Sequence, residues 1–460
     1  MTAFPPDLFA GRRFAVLGLG RNGAPAVRAL VAMGARVQAW DDGPAARAAV
    51  DDVAGVGVAP FDTLAGFDAL VLSPGIAHVL PQPHPVALMA RQAAIPILSD
   101  AELLFQAVRR AGSRARFAGI TGTNGKSTTT ALLAHILLAC GIPVAAGGNL
   151  GPAALSLPLL PDDGVYVLEM SSYMLERLHS LRFDAACLLN LTPDHLDRHG
   201  DMDGYRRAKL HIFDRQTADD LAVIGTDDVS DTALRDELAA QGIPTMTVSG
   251  TVAADLTGAG GLLRDGAGPI ATLADAPSLP GAHNAENAAA AVAMALSLGA
   301  PRADIAAALR SFPGLAHRQK LIDTIDGIRF VDDSKATNAD AASRALGCYD
   351  RLVWIAGGTA KAGGIEDLAP FFPRIAHAFL IGRDAAGLAR TLAAHGVPHT
   401  IAETLDRAVP GAFAAARAGH VPAVLLSPAC ASFDQFRSFE HRGQHFADLV
   451  RKLHPTGETE

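Results

Sequence analysis

Two glycine turns govern what this chain can fold into. The first closes the run FAVLGLGRNG (residues 14–23), where Gly18-x-Gly20-x-x-Gly23 has the spacing of a dinucleotide-binding turn. The second, TGTNGKSTTT, begins at Thr121, roughly a hundred residues later. Each follows a short apolar run and opens a helical stretch. A tight turn at the carboxyl end of a buried strand, leading into a helix, is the unit from which parallel sheets with helices on both faces are built.

The same alternation continues along the chain. RVQAW, ALVLSPG, FAGITG, YVLEMSS, AACLLNLT, LAVIG, RLVWIAGG, AFLIG and AVLLSPA read as strands, and APAVRALVAMG and NAENAAAAVAMALSLG have helical periodicity. The fold class is therefore α/β, with ligands expected at the carboxyl ends of the strands. A chain of 460 residues allows two to four domains. We expect three: a Rossmann-like unit over 1–107, closing near the end of SDAELLFQAVRR; a central P-loop-type ATPase unit with a mainly parallel sheet over 108–314, ending where SFPGLAHRQ breaks a helix; and a second Rossmann-like α/β unit over 315–460. The stretch 246–279 reads as hairpin material.

Composition narrows the functional classes. The net charge of −8 and the lack of a long basic run argue against a nucleic-acid partner. MTAFPPDLFAGRRF holds no apolar core of signal-peptide length. The longest apolar stretch, ALLAHILLACGIPVAA (131–146), is too short to span a bilayer and reads as a buried helix, a turn and a strand. Cys140, Cys187, Cys348 and Cys430 lie far apart with no CxxC pair, which suits a reducing compartment without a disulfide framework. A soluble, cytoplasmic protein, active as a monomer, is expected.

In FAGITGTNGKSTTTALLAHIL, Gly122 and Gly125 let backbone N–H groups turn onto phosphate, with Thr123, Asn124 and Thr128 on the same turn. Lys126 can reach the outer phosphates and the Ser127 hydroxyl can ligate Mg²⁺. The strict P-loop pattern wants glycine where Ile120 stands, and the nearest is Gly119. The bland alternative is a glycine-rich turn with a solvated lysine. Glu169 ends the strand in YVLEMSSYMLE, and strand-end acids beside such loops commonly hold Mg²⁺. Asp194, His195, Asp197 and His199 crowd together in NLTPDHLDRHG. His195 and His199 would share a face if helical, which makes zinc conceivable, but no cysteine is near and Mg²⁺ is the ion expected beside ATP. Lys209, in GYRRAKLHIFD, reads as a lysine on a helix face.

In the third unit, FVDDSKATNAD sets Asp333, Lys335, Thr337 and Asn338 after a strand, which suits either a polar ligand or a capped helix start. WIAGGTAKAGG brings Lys361 to a glycine turn, and LLSPACASFDQFRSFEHRG brings Ser432, Phe433 and Phe439.

The order of these motifs resembles the Mur ligases, ATP-dependent amide-forming ligases of peptidoglycan precursor synthesis. The resemblance is carried by TGTNGKSTTT, GGNLG (147–151), LEMSS, LTPDHLDRHG, YRRAKL, GAHNAENAAAA, AHRQ, DDSKATNADA and LLSPACASFDQFRSFEHRG, which span nearly the whole chain. The last two, with GLGRNG, resemble the members that add D-glutamate to UDP-N-acetylmuramoyl-L-alanine through an acyl phosphate. The resemblance implies catalytic roles for Lys126, His195 and Lys209. Lys126 and Ser127 would bind the ATP phosphates and Mg²⁺, Glu169 would ligate a first Mg²⁺, and His195 and Lys209 a second, with Lys209 carbamylated by CO₂. Asn284, Asn287, Arg318 and Asp333 would contact the adenosine or phosphates. Lys335, Thr337, Lys361, Ser432, Phe433 and Phe439 would surround D-glutamate. Gly18, Leu19, Gly20, Arg21 and Asn22 then become a diphosphate-facing turn for a UDP-sugar. Asp41, Asp42, Ser73 and Gly75 would lie around its uracil and ribose, and Asn149 and His195 nearer the reacting end. The chain departs from the family pattern at Tyr173-Met174, often Phe-Gln, at Thr359-Ala360, where an acid is common, and at Phe433, often Leu. These departures bear on substrate contacts and leave the phosphate and metal residues intact.

Three rivals remain open: a Mur-type ligase with another amino acid, a P-loop switch ATPase, and a dinucleotide oxidoreductase with Asp41 on the ribose. The last leaves TGTNGKS and the third unit unexplained. NADH titrated with the protein should therefore keep its free-solution fluorescence; a saturable change would restore the oxidoreductase reading.

Overall fold

Three sheets organise the computed structural model, which describes residues 2–149, 151–227, 232–361 and 363–454. Leu150 of GGNLG and residues 455–460 of the third expected unit lie outside the described residues. The first sheet has five parallel strands in the order Val56–Val58, Arg36–Trp40, Arg13–Leu17, Ala69–Leu72 and Ile97–Leu98. The chain winds outward from Arg13–Leu17 first one way and then the other, so a crevice opens at the end of that strand, beside Ala69–Leu72. Gly18 sits there with φ +87°, and a Cβ would collide with the Ser73 side chain.

The second sheet has nine strands, in the order Gly268–Thr272, Leu262–Asp265, Leu256–Thr257, Thr245–Ser249, Leu221–Gly225, Ala185–Leu188, Arg116–Thr121, Val165–Glu169 and Val144–Gly148. It is parallel except at the Gly268–Thr272 edge, where the last two pairings are antiparallel. Arg116–Thr121 lies between Ala185–Leu188 and Val165–Glu169, again at a switch point, and feeds the helix Lys126–Ala139. The long apolar stretch is the end of that helix, a turn, and the strand Val144–Gly148. The stretch read as hairpin material divides. Leu262–Asp265 and Gly268–Thr272 are a hairpin, but Thr245–Ser249 pairs in parallel with Leu221–Gly225. A parallel return needs a crossover, and the helix Thr232–Ala240 supplies it.

The third sheet runs Lys320–Ile325, Ile328–Asp332, Ala423–Leu426, Leu352–Gly357, Ile375–Ile381 and His399–Glu403, parallel except for the first pair. It belongs to its own compact unit, Pro313–Glu460 with Pro277–Gly281. The first two sheets together form the other unit, Met1–Ala276 with Ala282–Phe312. Their union has a physical source in the helix Asp100–Arg110. Leu103, Leu104, Ala107 and Val108 are fully buried, in one apolar cluster with Val16 of the first sheet and Phe117 and Tyr166 of the second. Phe117 stacks on Tyr166 at 4.8 Å between ring centroids and meets the edge of Phe105 at 5.2 Å. Among the described residues no helix is long and apolar enough to cross a membrane.

Phe117→Ala should therefore destabilise this unit by about 3–5 kcal/mol. Urea unfolding followed by circular dichroism will show this as a lowered midpoint; an unchanged midpoint would mean that the shared core is not what holds the first two sheets together.

Candidate active site

The phosphate-type loop is shaped by glycine and braced by amides. Gly122 (φ +148°) and Gly125 (φ +82°) adopt backbone conformations that disfavour a side chain, and a Cβ on Gly125 would strike the Asn287 amide. Asn190, at the end of the neighbouring strand, holds the loop from three atoms. Its Oδ1 accepts from the Asn124 N–H at 2.8 Å, its Nδ2 donates to the Asn124 carbonyl at 3.2 Å, and its own carbonyl accepts from the Thr123 N–H at 3.0 Å. Thr129 Oγ1 donates to Asn287 Oδ1 at 3.2 Å, and Asn287 Nδ2 donates to Asn284 Oδ1 at 3.1 Å. Asn284 and Asn287, some 160 residues further along the sequence, are thus brought beneath the loop on the helix Ala282–Ser297. Ser127 is buried in the first turn of Lys126–Ala139. The Lys126 ammonium folds back over the loop, donating to the carbonyls of Gly122 at 2.9 Å and Thr123 at 2.8 Å. Backbone N–H groups, a helix N-terminus and an ammonium together make an anion site.

A buried acid and a buried amine face this loop. Glu169 lies opposite Ile120 in register and is 2% exposed. Its Oε1 accepts from Asn149 Nδ2 at 2.7 Å, whereas its Oε2 has no hydrogen-bond partner among the described residues. A buried carboxylate oxygen left without a donor is unfavourable unless a cation meets it. Lys209, read from sequence as a lysine on a helix face, is fully buried. Its Nζ donates to the Gly122 carbonyl at 2.7 Å and lies 4.6 Å from the Tyr205 ring centroid. Burial, reinforced by the positive charge of Lys126, holds this amine well below the ordinary lysine range, against the opposing pull of Asp194 and Glu169.

His195 and His199 part company. The helix Leu196–His199 is a single turn, and His195 caps it in a left-handed conformation (φ +53°). His195 stays half-exposed, its Nε2 3.5 Å from Asp194 Oδ2. Burial lowers its pKa; Asp194 opposes the shift while the charges of Lys126 and Lys209 add to it. His199 turns inward instead, with Nε2 2.9 Å from Ser172 Oγ and Nδ1 3.4 Å from Glu176. The two imidazoles therefore do not form the metal pair that a shared helical face would give. Among the described residues no three His, Cys, Asp or Glu side chains gather as a ready metal centre.

In the first sheet, Asp41 braces its own turn. Its Oδ2 accepts from the Leu19 N–H and its Oδ1 from the Gly43 N–H, both at 2.8 Å, so both oxygens are engaged by backbone. Asp42 Oδ1 accepts from Trp40 Nε1 at 3.1 Å. Ser73 Oγ donates to the Gly18 carbonyl at 2.8 Å, and the Leu19 side chain is buried. Asn22 Nδ2 donates to Asp100 Oδ2 at 3.1 Å, and Arg21 to the Gly151 carbonyl at 3.0 Å. Gly20 and Gly75 remain exposed, with no atom near where a Cβ would stand.

In the unit of the third sheet, Asp333 is buried, accepting from Ser427 Oγ at 2.7 Å and from the Gln319 N–H at 3.2 Å. Burial pushes its carboxyl up to about 7. Gln319 directly follows His317 and Arg318, and the His317 Nδ1 lies 2.7 Å from Asp332 Oδ2. Lys335 Nζ sits 5.4 Å from the Phe439 ring centroid, Ser432 is buried, Thr337 is half-buried, and Lys361 and Phe433 are exposed. Asn338 is spent on capping Ala339–Leu346, accepting from the Ala341 N–H at 2.8 Å. The sequence reading missed Arg442. Fully buried, it donates to Ser334 Oγ at 2.9 Å and to the carbonyls of Ser334 at 2.8 Å, Gly357 at 3.3 Å and Cys430 at 3.1 Å. One guanidinium thereby ties the three loops that carry Lys335, Lys361 and Ser432. Asn190 was missed as well; its position at a strand end beside the glycine loop was the available signal.

Comparison with known proteins gives the family and the fold. Residues 120–295 match the family model of the Mur ligase middle domain. The chain is 51% identical over 459 residues to the UDP-N-acetylmuramoylalanine--D-glutamate ligase of Paramagnetospirillum magneticum, covering 98% of each. It is 48% identical over 463 residues to the enzyme of that name from Rhodospirillum rubrum, covering 97% of this chain and 95% of that one. Among solved structures, the UDP-N-acetylmuramate-alanine ligase of Thermotoga maritima matches with a TM-score of 0.60 at 17% identity, over 96% of this chain and 99% of that one. MurF of Acinetobacter baumannii matches with a TM-score of 0.59 at 21% identity, over 91% of each, and at such identities the likeness is one of fold. With about half its residues shared over nearly its full length, the chain belongs to the Mur ligase family, among its UDP-N-acetylmuramoylalanine--D-glutamate ligases.

Proposed function

We propose that the chain is an ATP-dependent ligase that joins D-glutamate to UDP-N-acetylmuramoyl-L-alanine in the cytoplasm. The observation that carries this reading is the gathering of Lys126, Glu169 and Lys209 around one glycine loop, in a chain 51% identical to a ligase of that name. The residues 1–107 would take the UDP-sugar, 108–314 the ATP and 315–460 the amino acid.

In the reaction, an L-alanyl carboxylate oxygen bonds to the γ-phosphorus of ATP as the bond to the β-phosphate bridge breaks, giving ADP and an acyl phosphate. The amine of D-glutamate then adds to the carbonyl carbon, loses a proton, and the tetrahedral species collapses to amide and phosphate. A free carboxylate is a poor acyl donor because oxide would have to leave; phosphate leaves readily. The substrates are all anionic, so the protein must supply positive charge where they meet. The loop N–H groups, held by Asn190, are oriented before any phosphate arrives, and Lys126 can exchange its two carbonyls for phosphate oxygens with little movement.

The unpartnered Glu169 oxygen fits a divalent cation, and Mg²⁺ bound there would neutralise charge on the transferring phosphoryl group. Ser127 and Glu169 would hold one ion; His195 and Lys209 would hold a second. An ammonium cannot ligate Mg²⁺, but the Lys209 amine is poised to change sign. Its depressed pKa favours the neutral form, whose lone pair can bond to the carbon of CO₂; loss of one proton leaves an anionic carbamate.

Phosphate release with UDP-N-acetylmuramoyl-L-alanine should require D-glutamate. Activity with L-alanine or a diamino acid instead would overturn the assignment, and release indifferent to either substrate would favour a switch ATPase. Lys209→Ala should lower kcat by about a thousandfold, the upper range for removing one electrostatic group, and bicarbonate should not restore it. ¹³C-bicarbonate should give a carbamate signal in the parent protein that the variant lacks. A near-normal variant would remove Lys209 from the mechanism.

A further inference from the structure

Arg177 follows the short helix Ser172–Leu175, a few residues after Glu169, and is 1% exposed. Its guanidinium reaches the loop that leaves the first-sheet strand Ala69–Leu72. Nη1 donates to the carbonyls of Leu72 at 2.6 Å and Ser73 at 3.0 Å, and Nη2 to that of Ile76 at 2.6 Å. Nε and Nη2 both lie 3.4 Å from His78 Nδ1. The Arg177 carbonyl in turn accepts from the Ser99 N–H at 3.3 Å. Among the described residues no carboxylate makes ion-pair contact with Arg177, so carbonyl oxygens and the His78 imidazole make its direct contacts, with the charge of nearby Glu176 in support. Burial pulls its pKa down to about 9, which leaves it charged at neutral pH. His78 is held as a neutral acceptor, pulled down to about 4 by burial and by Arg177; it also lies 3.2 Å from Arg198 Nη2.

A charged group buried this deeply is unfavourable unless its surroundings need it. What it provides here is shape. Three carbonyls of one short irregular segment converge on a single planar fork, which a lysine or an uncharged side chain cannot reproduce. The other face of the same segment bears Ser73, bonded to the Gly18 carbonyl of the diphosphate-type turn, and the exposed Gly75. We propose that Arg177 is a positioning residue for the UDP end of the substrate: it sets the loop bearing Ser73 and Gly75 against the Gly18 turn, from an anchor next to the strand that ends in Glu169. The inference rests on the reading that this loop takes the UDP end.

The test is UDP binding by calorimetry to the full-length protein and to Arg177→Met, with ADP binding measured alongside. Arg177→Met should weaken UDP about tenfold or more while ADP stays within about twofold, because a loop displaced by an ångström loses contacts only where it touches the ligand. In turnover, KM for the UDP-substrate should rise by the same factor, with KM for ATP and D-glutamate unchanged and kcat within about threefold. Arg177→Lys, which keeps the charge and loses the fork, should fall between the two. Unchanged UDP affinity in a folded Arg177→Met, or equal losses of UDP and ADP, would overturn the proposal. If Arg177→Met does not fold, Arg177→Lys decides: normal UDP affinity overturns the proposal, and a selective loss for UDP supports it. A parent protein that binds no UDP at all would instead overturn the assignment of the loop, a failure visible before any variant is made.

Discussion

A glycine turn at the end of a buried strand leaves backbone N–H and carbonyl groups that no ladder satisfies, and the rest of this structure is arranged around keeping them in one conformation. Each turn has a brace from elsewhere in the sequence. Asn190 and Asn287 hold the Gly122–Gly125 loop, Asp41 holds the Leu19 N–H, Arg177 gathers the carbonyls after Leu72, and Arg442 ties the turns of the third sheet. Buried polar groups of this kind are stable only when fully partnered, so the braces fix the loops rather than merely touching them. Loops held in this way can present oriented dipoles to an anion without rearranging when it binds.

Charge follows from the same burial. Lys126 and Lys209 crowd one loop, and the repulsion between them adds to desolvation in favouring a neutral Lys209 amine. Glu169 stands at the same loop with one oxygen unpartnered. One buried carboxylate oxygen and two amines thus share the space around this loop.

The architecture was largely legible because its signals are local. Strand-turn-helix alternation and the two glycine turns specified parallel sheets, and the edge near Gly268–Thr272 was recognisable as a hairpin. Thr245–Ser249, at the start of the stretch read as hairpin material, is instead parallel, and only the crossover by Thr232–Ala240 makes it so. The shared core beneath Asp100–Arg110 was equally hidden. Its apolar face is ordinary helical periodicity, and nothing in that pattern says that two sheets will bury it.

The sequence by itself determined most of the central strands, the glycines that must bend, and which side chains stand near the strand ends, Lys126, Ser127, Glu169 and His195 among them. These depend on neighbours within a few residues. Tertiary structure alone decided that Lys209 is a buried amine rather than a lysine on a helix face, that His199 turns away from His195, that Asp41 braces its own turn, and that Arg177 and Arg442 are buried cations. Each of those outcomes depends on desolvation and on partners distant in sequence, and neither quantity is written in the spacing of residues along a chain.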